Sequence, residues 1–138
     1  AVRPVPADYC RFGSGTLDVS KGTLTSTKSE KETLAIGEDG FLGPFAHDGD
    51  SVSWQVSAPW DGKFALHVKF NGKWGSKKNS VIVNDGTPVS IEFPQTDEKG
   101  QTIVVPVSLR EGANTISFGK FAGDWGYMFI KSIEVTAE

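Results

Sequence analysis

The feature that most constrains the fold is the strict alternation of apolar and polar side chains in two neighbouring segments. In residues 51–57, Val52, Trp54 and Val56 fall on one face of an extended chain. In residues 63–70 the apolar face consists of Phe64, Leu66, Val68 and Phe70. A period of two is typical of a β-strand with one face buried and one face in water. The chain is therefore predicted to form a sheet whose apolar face is covered by another layer.

Further segments with strand character follow, separated by turns rich in Gly, Asn, Asp and Pro. They lie at residues 80–84, 89–93, 102–109, 114–121 and 127–136. Earlier in the chain, shorter strand candidates lie at residues 16–19, 23–27 and 33–36, and one short helix candidate lies at 29–35. Strands that recur every eight to twelve residues or so predict an antiparallel β-sandwich of the jelly-roll type. We expect about eight to ten strands in an all-β fold.

The length of 138 residues suits one domain with a real core. We expect residues 9–138 to form this single sandwich and residues 1–8, which contain two prolines, to form a linker or tail. The chain opens at Ala1 without a charged and then apolar leader, so we interpret it as a mature protein or an excised module. Cys10 has no second cysteine to pair with and is interpreted as a small buried or half-buried thiol.

Charge and motifs argue against several functions. The net charge of -3 gives no basic field that would attract nucleic acid or an anionic membrane. No apolar run approaches the roughly 18 residues that span a bilayer. His47 and His67 are too few for a three-histidine zinc site, and the nucleophile-elbow and phosphate-loop motifs do not occur. A glycosidase pair could be drawn from the loop acids, but their turn-like contexts favour solvated carboxylates. We therefore predict a protein that is not an enzyme.

The direction of successive strands predicts which connections lie together. If the strands from Ser51 onward are antiparallel, alternate connections fall at opposite ends of the sandwich. Four longer connections then share one end, which we call the loop end: residues 37–50, 71–79, 94–101 and 122–126. Three short turns share the other end, which we call the turn end: residues 59–62, 84–88 and 110–113. Trp60 falls at the turn end, where we interpret it as a hydrophobic lid.

The composition of the loop end suits a saccharide. A pyranose needs a flat aromatic surface for its C–H face and fixed amide or charged groups for its hydroxyls. Trp74 and Trp125 are the candidate platforms. The other candidate contacts are Asn71, Lys73, Asn79, Asp124, Phe45, His47 and Tyr127. The alternative is that these aromatic residues pack beneath their own loops.

Several short motifs, in this order and spacing, resemble the carbohydrate-binding modules of family 35 or the related family 6. They are GFLG at 40–43, GDSVSW at 49–54, GKFAL at 62–66, FNG at 70–72, EGANTI at 111–116 and WG at 125–126. The resemblance implies a β-sandwich jelly roll that is a non-catalytic appendage of a secreted polysaccharide-degrading enzyme. It also implies a sugar site made by loops at one end, with Trp125 in the role of the tryptophan before the last strand.

The sequence departs from the family at positions that matter for a metal ion. Members commonly bind a structural calcium through an N-terminal acidic segment and a late Asp, which are matched here by residues 9–12 and by Lys131. Because calcium requires oxygen ligands, we expect this ion to be absent. An Asn that is usual before the last strand is replaced by Met128 or Phe129. A second calcium at the loop end remains an alternative, with Asp48, Asp50, Asn71, Asn79 and Asp124 as its candidate ligands.

The resulting prediction is a monomeric, secreted module that binds a polysaccharide or oligosaccharide and is fused to a catalytic domain. We expect a mannan-, xylan- or galactan-like plant polysaccharide, with no cofactor and with neither nucleic acid nor membrane as a partner. Lys73, Lys77 and Lys78 also permit an acidic sugar. The alternatives are therefore a module that binds uronic acids with calcium, or a structural or protein-docking sandwich.

Overall fold

The computed structural model describes residues 14–26, 34–73, 75–84, 86–97, 99–121, 123–125 and 127–137. Within them the chain forms eleven strands and one short 3-10 helix, Val19–Lys21. The strands are β1 Ser14–Asp18, β2 Thr23–Thr25, β3 Ala35–Ile36, β4 Leu42–Gly43, β5 Ser51–Ala58, β6 Gly62–Asn71, β7 Lys77–Val83, β8 Val89–Phe93, β9 Gln101–Leu109, β10 Gly112–Gly119 and β11 Phe129–Ala137. The predicted all-β sandwich is confirmed. The described helix is too short and too polar to be a candidate for crossing a membrane.

The strands form two sheets in which every pair is antiparallel. The six-stranded sheet has the order β3-β4-β11-β6-β9, with β1 also paired to β11. The five-stranded sheet has the order β2-β5-β10-β7-β8. Pro106 lies on β9, at an edge of the first sheet, as expected for a residue that cannot donate to a strand partner.

The alternation of β5 and β6 places their apolar residues between the sheets. Val52, Trp54 and Val56 are buried on one face of β5, while their neighbours are more exposed. The indole Nε1 of Trp54 donates a hydrogen bond to the carbonyl of Asp18 at 2.8 Å, which satisfies the only polar atom of the ring. The predicted core faces of both strands are confirmed.

Aromatic rings fill the part of the core nearest to the loop end. Phe118 contacts Phe45 edge to face at 5.1 Å and Phe93 at 5.8 Å. Phe93 in turn contacts Phe70 at 4.9 Å. All four are almost completely buried, so this ring cluster forms the floor on which the loops rest.

The prediction that residues 37–50 form one long loop is partly wrong. Its start belongs to a small hairpin in which β3 pairs with β4 and the amide of Gly37 donates to the carbonyl of Phe41 at 2.9 Å. Gly40 closes the turn with a φ of 84°, a conformation that glycine adopts without steric cost. These two-residue strands raise the strand count above the predicted eight to ten.

The helix predicted at residues 29–35 is not supported where it can be tested, because Ala35 is in a strand. Residues 29–33 of that segment lie outside the described residues. So do the predicted tail at residues 1–8 and Cys10.

Strand register confirms the predicted division into two ends. Asn71 at the end of β6 pairs with Phe129 at the start of β11, and Ser51 at the start of β5 pairs with Gly119 at the end of β10. These positions lie at the loop end. At the opposite end of the sheet, Ser14 pairs with Thr136 and Ala137 pairs with Phe64. Strand β1 therefore begins, and β11 finishes, at the turn end.

Candidate functional site

The first two residues of β7 divide the loop end into two surfaces. Successive side chains of a strand point to opposite faces, and here both are lysines. The Nζ atom of Lys77 lies 6.0 Å from the ring centre of Tyr127. The Nζ atom of Lys78 lies 5.4 Å from the ring centre of Trp125. We call the region of Lys77, Tyr127 and Phe129 the Tyr127 surface, and the region of Lys78 and Trp125 the Trp125 surface.

The Tyr127 surface is built from two aromatic rings. Tyr127 contacts Phe129 edge to face at 5.9 Å. The Phe129 ring packs directly on Gly43 of β4, because a Cβ atom built on that glycine would lie 2.4 Å from the ring. Tyr127 has a φ of 52°, which is unfavourable for a bulky residue, and its amide donates to the carbonyl of Phe45 at 2.8 Å. The backbone thus holds Tyr127 in a defined position.

A cavity of about 560 Å³ lies beside Phe129. It is lined by Ala35, Ile36, Gly37, Glu38, Asp39, Phe41, Gly43, Asn71, Lys73 and Phe129. The Oδ1 atom of Asn71 accepts a hydrogen bond from the amide of Lys73 at 2.9 Å, which shapes the turn after β6. The cavity thus combines an aromatic wall with amide, ammonium and carboxylate groups, the combination that recognises a sugar ring.

The Trp125 surface lies on the five-stranded sheet. The Trp125 side chain is 55% exposed, while its amide donates to the carbonyl of Lys78 at 3.0 Å. Next to Lys78 is an open depression of about 440 Å³. Its lining residues are Lys78, Ser80, Pro88, Ser90, Phe121, Gly123 and Asp124.

Asp124 anchors the loop that carries Trp125. Its Oδ2 accepts from the hydroxyl of Ser80 at 2.8 Å and from the amide of Phe121 at 3.0 Å. Its Oδ1 accepts from the hydroxyl of Ser90 at 2.9 Å. Only 9% of the residue is exposed. Both carboxylate oxygens are therefore engaged by the protein itself, whereas the sequence predicted Asp124 as a partner for sugar hydroxyls.

The other predicted site residues are placed less favourably for ligand contact. Phe45 is fully buried against Phe118, so it belongs to the core and has no surface that a ligand can reach. Asn79 is also fully buried, and neither atom of its amide has a hydrogen-bond partner among the described residues. His47 is half-buried and lines neither the cavity beside Phe129 nor the depression beside Lys78. Trp74 lies outside the described residues, so its role stays a prediction.

The carboxylates considered for calcium are occupied in other ways. Asp48 forms an ion pair with Lys120, and Asp50 is buried with its Oδ2 accepting from the amide of His47 at 3.1 Å. At the position where the resemblance places an Asp, Lys131 instead has its Nζ atom 5.7 Å from the ring of Phe41. In the part of the chain that the structure describes, no three His, Cys, Asp or Glu side chains are grouped to hold a metal ion.

The residues of these surfaces that were not predicted as site residues include Phe129, Ser80 and Ser90. Phe129 was considered only as a replacement for the Asn that is usual before the last strand, although alternation from Tyr127 would have placed it on the same face. Ser80 and Ser90 were treated as ordinary strand residues. Their pairing across β7 and β8 brings both hydroxyls to Asp124. No sequence pattern links such short hydroxyl side chains to a distant carboxylate.

Comparison with known proteins identifies relatives among polysaccharide-degrading enzymes. The chain is 29% identical over 118 residues to mannan endo-1,4-beta-mannosidase A of Piromyces sp, a match that covers 86% of this chain and 19% of that protein. It is 24% identical over 136 residues to mannan endo-1,4-beta-mannosidase of Thermothelomyces thermophilus, covering 99% of this chain and 28% of that protein. The chain thus spans between about a fifth and somewhat more than a quarter of the length of these relatives.

Solved structures share the same fold. A GH26-CBM35 β-(1,4)-mannanase of Podospora anserina superposes with a TM-score of 0.73 and 24% identity, covering 91% of this chain and 28% of that one. A family 35 carbohydrate-binding module of Clostridium thermocellum superposes with a TM-score of 0.70 and 20% identity, covering 91% of this chain and 98% of that one. The profile of the family described as carbohydrate binding module (family 35) matches residues 16–138. The chain belongs to family 35 of the carbohydrate-binding modules.

Proposed function

We propose that this module binds a plant-type cell-wall polysaccharide at the loop end and holds an attached, secreted glycoside hydrolase close to it. Among mannan-, xylan- and galactan-like chains, mannan is the first candidate, because the relatives compared above include mannan endo-1,4-beta-mannosidases. The observation that carries the proposal is the aromatic wall of Tyr127 and Phe129 beside the cavity that contains Asn71 and Lys73. The module itself performs no reaction.

The physical basis of binding is the complementarity between this wall and a sugar ring. The C–H face of a pyranose covers aromatic surface and removes it from water, which is worth about 25 cal/mol for each Å² buried. Lys73 is exposed at the cavity rim, where its ammonium can donate to sugar hydroxyls. Asn71 is 3% exposed and holds the turn that presents Lys73. Because ring packing and hydrogen bonds within the protein hold the wall and the turn, little ordering is needed on binding.

Affinity electrophoresis in gels that contain galactomannan, xylan, galactan or a uronic-acid polymer tests the proposal, with and without a chelator. We expect galactomannan to slow the wild-type module, and Tyr127→Ala and Lys73→Ala to weaken the retardation. Trp74→Ala tests the predicted platform that lies outside the described residues. The matched control is Trp60→Ala at the turn end, where the side chain is 47% exposed and stacks on Phe64 at 6.2 Å.

Each alternative gives a different result. Lack of retardation by every polysaccharide would contradict the proposal and favour a structural or protein-docking sandwich. Retardation by the uronic-acid polymer that disappears with chelator would favour calcium-dependent recognition of acidic sugars. Release of reducing or unsaturated ends over time would identify an enzyme.

A further inference from the structure

We propose that one polysaccharide chain crosses the loop end from the Tyr127 surface to the Trp125 surface, so that the module recognises an extended chain segment. This inference rests on the proposed function and specifies its ligand. It concerns the length of chain that is bound.

The backbones of both aromatic residues are held by hydrogen bonds, and the two residues are close in sequence. The amide of Trp125 donates to the carbonyl of Lys78 at 3.0 Å, and the amide of Tyr127 donates to the carbonyl of Phe45 at 2.8 Å. Because one residue separates them in sequence, their Cα atoms are at most about 7 Å apart. The two surfaces therefore adjoin each other at a rim formed by Trp125 and Tyr127. The backbone of Trp125 is bonded to β7, and that of Tyr127 is bonded to the segment between β4 and β5.

The two surfaces face different sides of the sandwich. The cavity beside the Tyr127 surface lies at the pair formed by Asn71 and Phe129, in the six-stranded sheet. The depression beside the Trp125 surface lies at the pair formed by Ser80 and Ser90, in the five-stranded sheet. A chain of several linked sugars can pass over the rim and contact both sides.

The chemistry of the Trp125 surface matches that of the Tyr127 surface. Each has an aromatic ring with a lysine ammonium within 6.0 Å of its centre. The Trp125 ring stays 55% exposed although Asp124 fastens its loop to β7 and β8. An exposed indole beside a lysine ammonium offers a flat apolar face and a hydrogen-bond donor, which is what a sugar ring requires. The ring is thus suited to stack against a later sugar of the same chain.

The test is the dependence of affinity on chain length. Calorimetry with β-1,4-linked manno-oligosaccharides from disaccharide to hexasaccharide, and with galactomannan, is carried out on wild type, Trp125→Ala, Tyr127→Ala and the control Trp60→Ala. We expect Trp125→Ala to weaken hexasaccharide and galactomannan binding at least tenfold and to leave disaccharide binding within twofold. Tyr127→Ala is expected to weaken ligands of every length, and Trp60→Ala none. Circular dichroism and thermal unfolding of each variant show that the fold persists.

Two results would overturn the inference while leaving the proposed function standing. One is an equal loss in Trp125→Ala for ligands of every length, which indicates a single compact site. The other is unchanged galactomannan binding in Trp125→Ala. If the wild-type module binds no length of manno-oligosaccharide and no galactomannan, but binds xylan or galactan, the same series is run with the oligosaccharides of that polymer and read in the same way. If it binds no polysaccharide at all, both proposals fail together.

Discussion

The two ends of the sandwich use their polar side chains in different ways. At the turn end, amide side chains bond to the backbone of the turns that connect the strands. At the loop end the amide of Asn71 holds a turn in the same way, but two lysines lie beside aromatic rings and one buried amide has no partner among the described residues. Both ends are capped by connections between strands of the same two sheets, so the architecture alone does not dictate this difference.

Asn114 shows how completely the turn end is satisfied. Its Oδ1 accepts from the amide of Arg110 and from Nδ2 of Asn84, both at 3.1 Å. Its Nδ2 donates to the carbonyls of Arg110 at 2.8 Å and Gly112 at 3.0 Å. Asn84 completes the network by accepting from the amide of Thr115 at 3.0 Å. Side chains committed in this way add stability and leave nothing to offer a ligand.

We infer from the contrast that the end proposed for binding keeps aromatic rings and lysine ammonium groups together at its surface, while hydrogen bonds such as those of Asp124 hold its loops. The following predictions test this division, from the largest expected effect to the smallest.

Replacing Asn114 with Ala should destabilise the fold and leave ligand binding intact. The change removes four hydrogen bonds and leaves the amide of Arg110 and the side chain of Asn84 short of a partner. We expect a loss of about 3 kcal/mol in the free energy of unfolding. Urea unfolding measures it, and galactomannan affinity is compared at a temperature where the variant is folded. A weaker affinity in the folded variant would show that the turn end contributes to binding.

Replacing Asp124 with Ala should affect both properties. Ser80, Ser90 and the amide of Phe121 lose their acceptor, which we expect to cost about 2 kcal/mol of stability. Because the loop is released from β7 and β8, Trp125 loses its fixed position and long-chain affinity falls. Tryptophan fluorescence anisotropy and calorimetry report the two effects.

Asp124→Asn is the conservative control for this change. It keeps an acceptor for one serine and should recover part of both losses. If Asp124→Ala abolishes disaccharide binding while the fluorescence stays that of wild type, Asp124 is itself a sugar contact and the anchor role is wrong.

Replacing Asn79 with Leu should leave stability unchanged or raise it by up to about 1 kcal/mol, because removing a buried polar group that lacks partners is favourable. The amide of Asn79 is fully buried and unpartnered within the described part of the chain. Thermal unfolding measures the change, and galactomannan affinity measured alongside tests the sequence prediction that Asn79 contacts the ligand. A loss of stability would show that the amide has a partner such as an internal water.

Asp18→Asn should have the smallest effect. Hydrogen bonds from the side chain and the amide of Ser20 hold the pKa of Asp18 below its ordinary value of 3.8. A lowered pKa in the folded state gives stability that is present above pH 3.8 and is lost as the pH falls through the folded value. The variant should therefore be slightly less stable than wild type at pH 7, and the difference should vanish at strongly acidic pH. A constant difference at all pH values would point to a cause other than charge.

The sequence predicts the parts of this molecule that depend on local pattern. Alternation in β5 and β6 gave their buried faces, and the parity of the strands placed Asn71, Trp125 and Tyr127 at one end. Each of these inferences needs only neighbouring residues and the geometry of a strand.

What could not be predicted depends on contacts between distant residues. The two serines that bind Asp124 lie 44 and 34 residues from it in sequence, so nothing local distinguishes this anchor from a solvated loop acid. Phe45 was predicted at the surface because it lies in a glycine-rich loop, yet its amide donates to the carbonyl of Met128 at 3.1 Å and its ring turns into the core. The hairpin of β3 and β4 has strands of two residues, too short to show any period.

The positions of the first and last strands determine how this module can be joined to a larger protein. Strand β1 begins beside Thr136, and β11 finishes beside Phe64, both at the turn end. The outer ends of both strands thus lie on the side remote from Tyr127 and Trp125. If the loop end binds a polysaccharide as proposed, a domain joined directly after β11 would leave that end open to a bulky, insoluble wall surface.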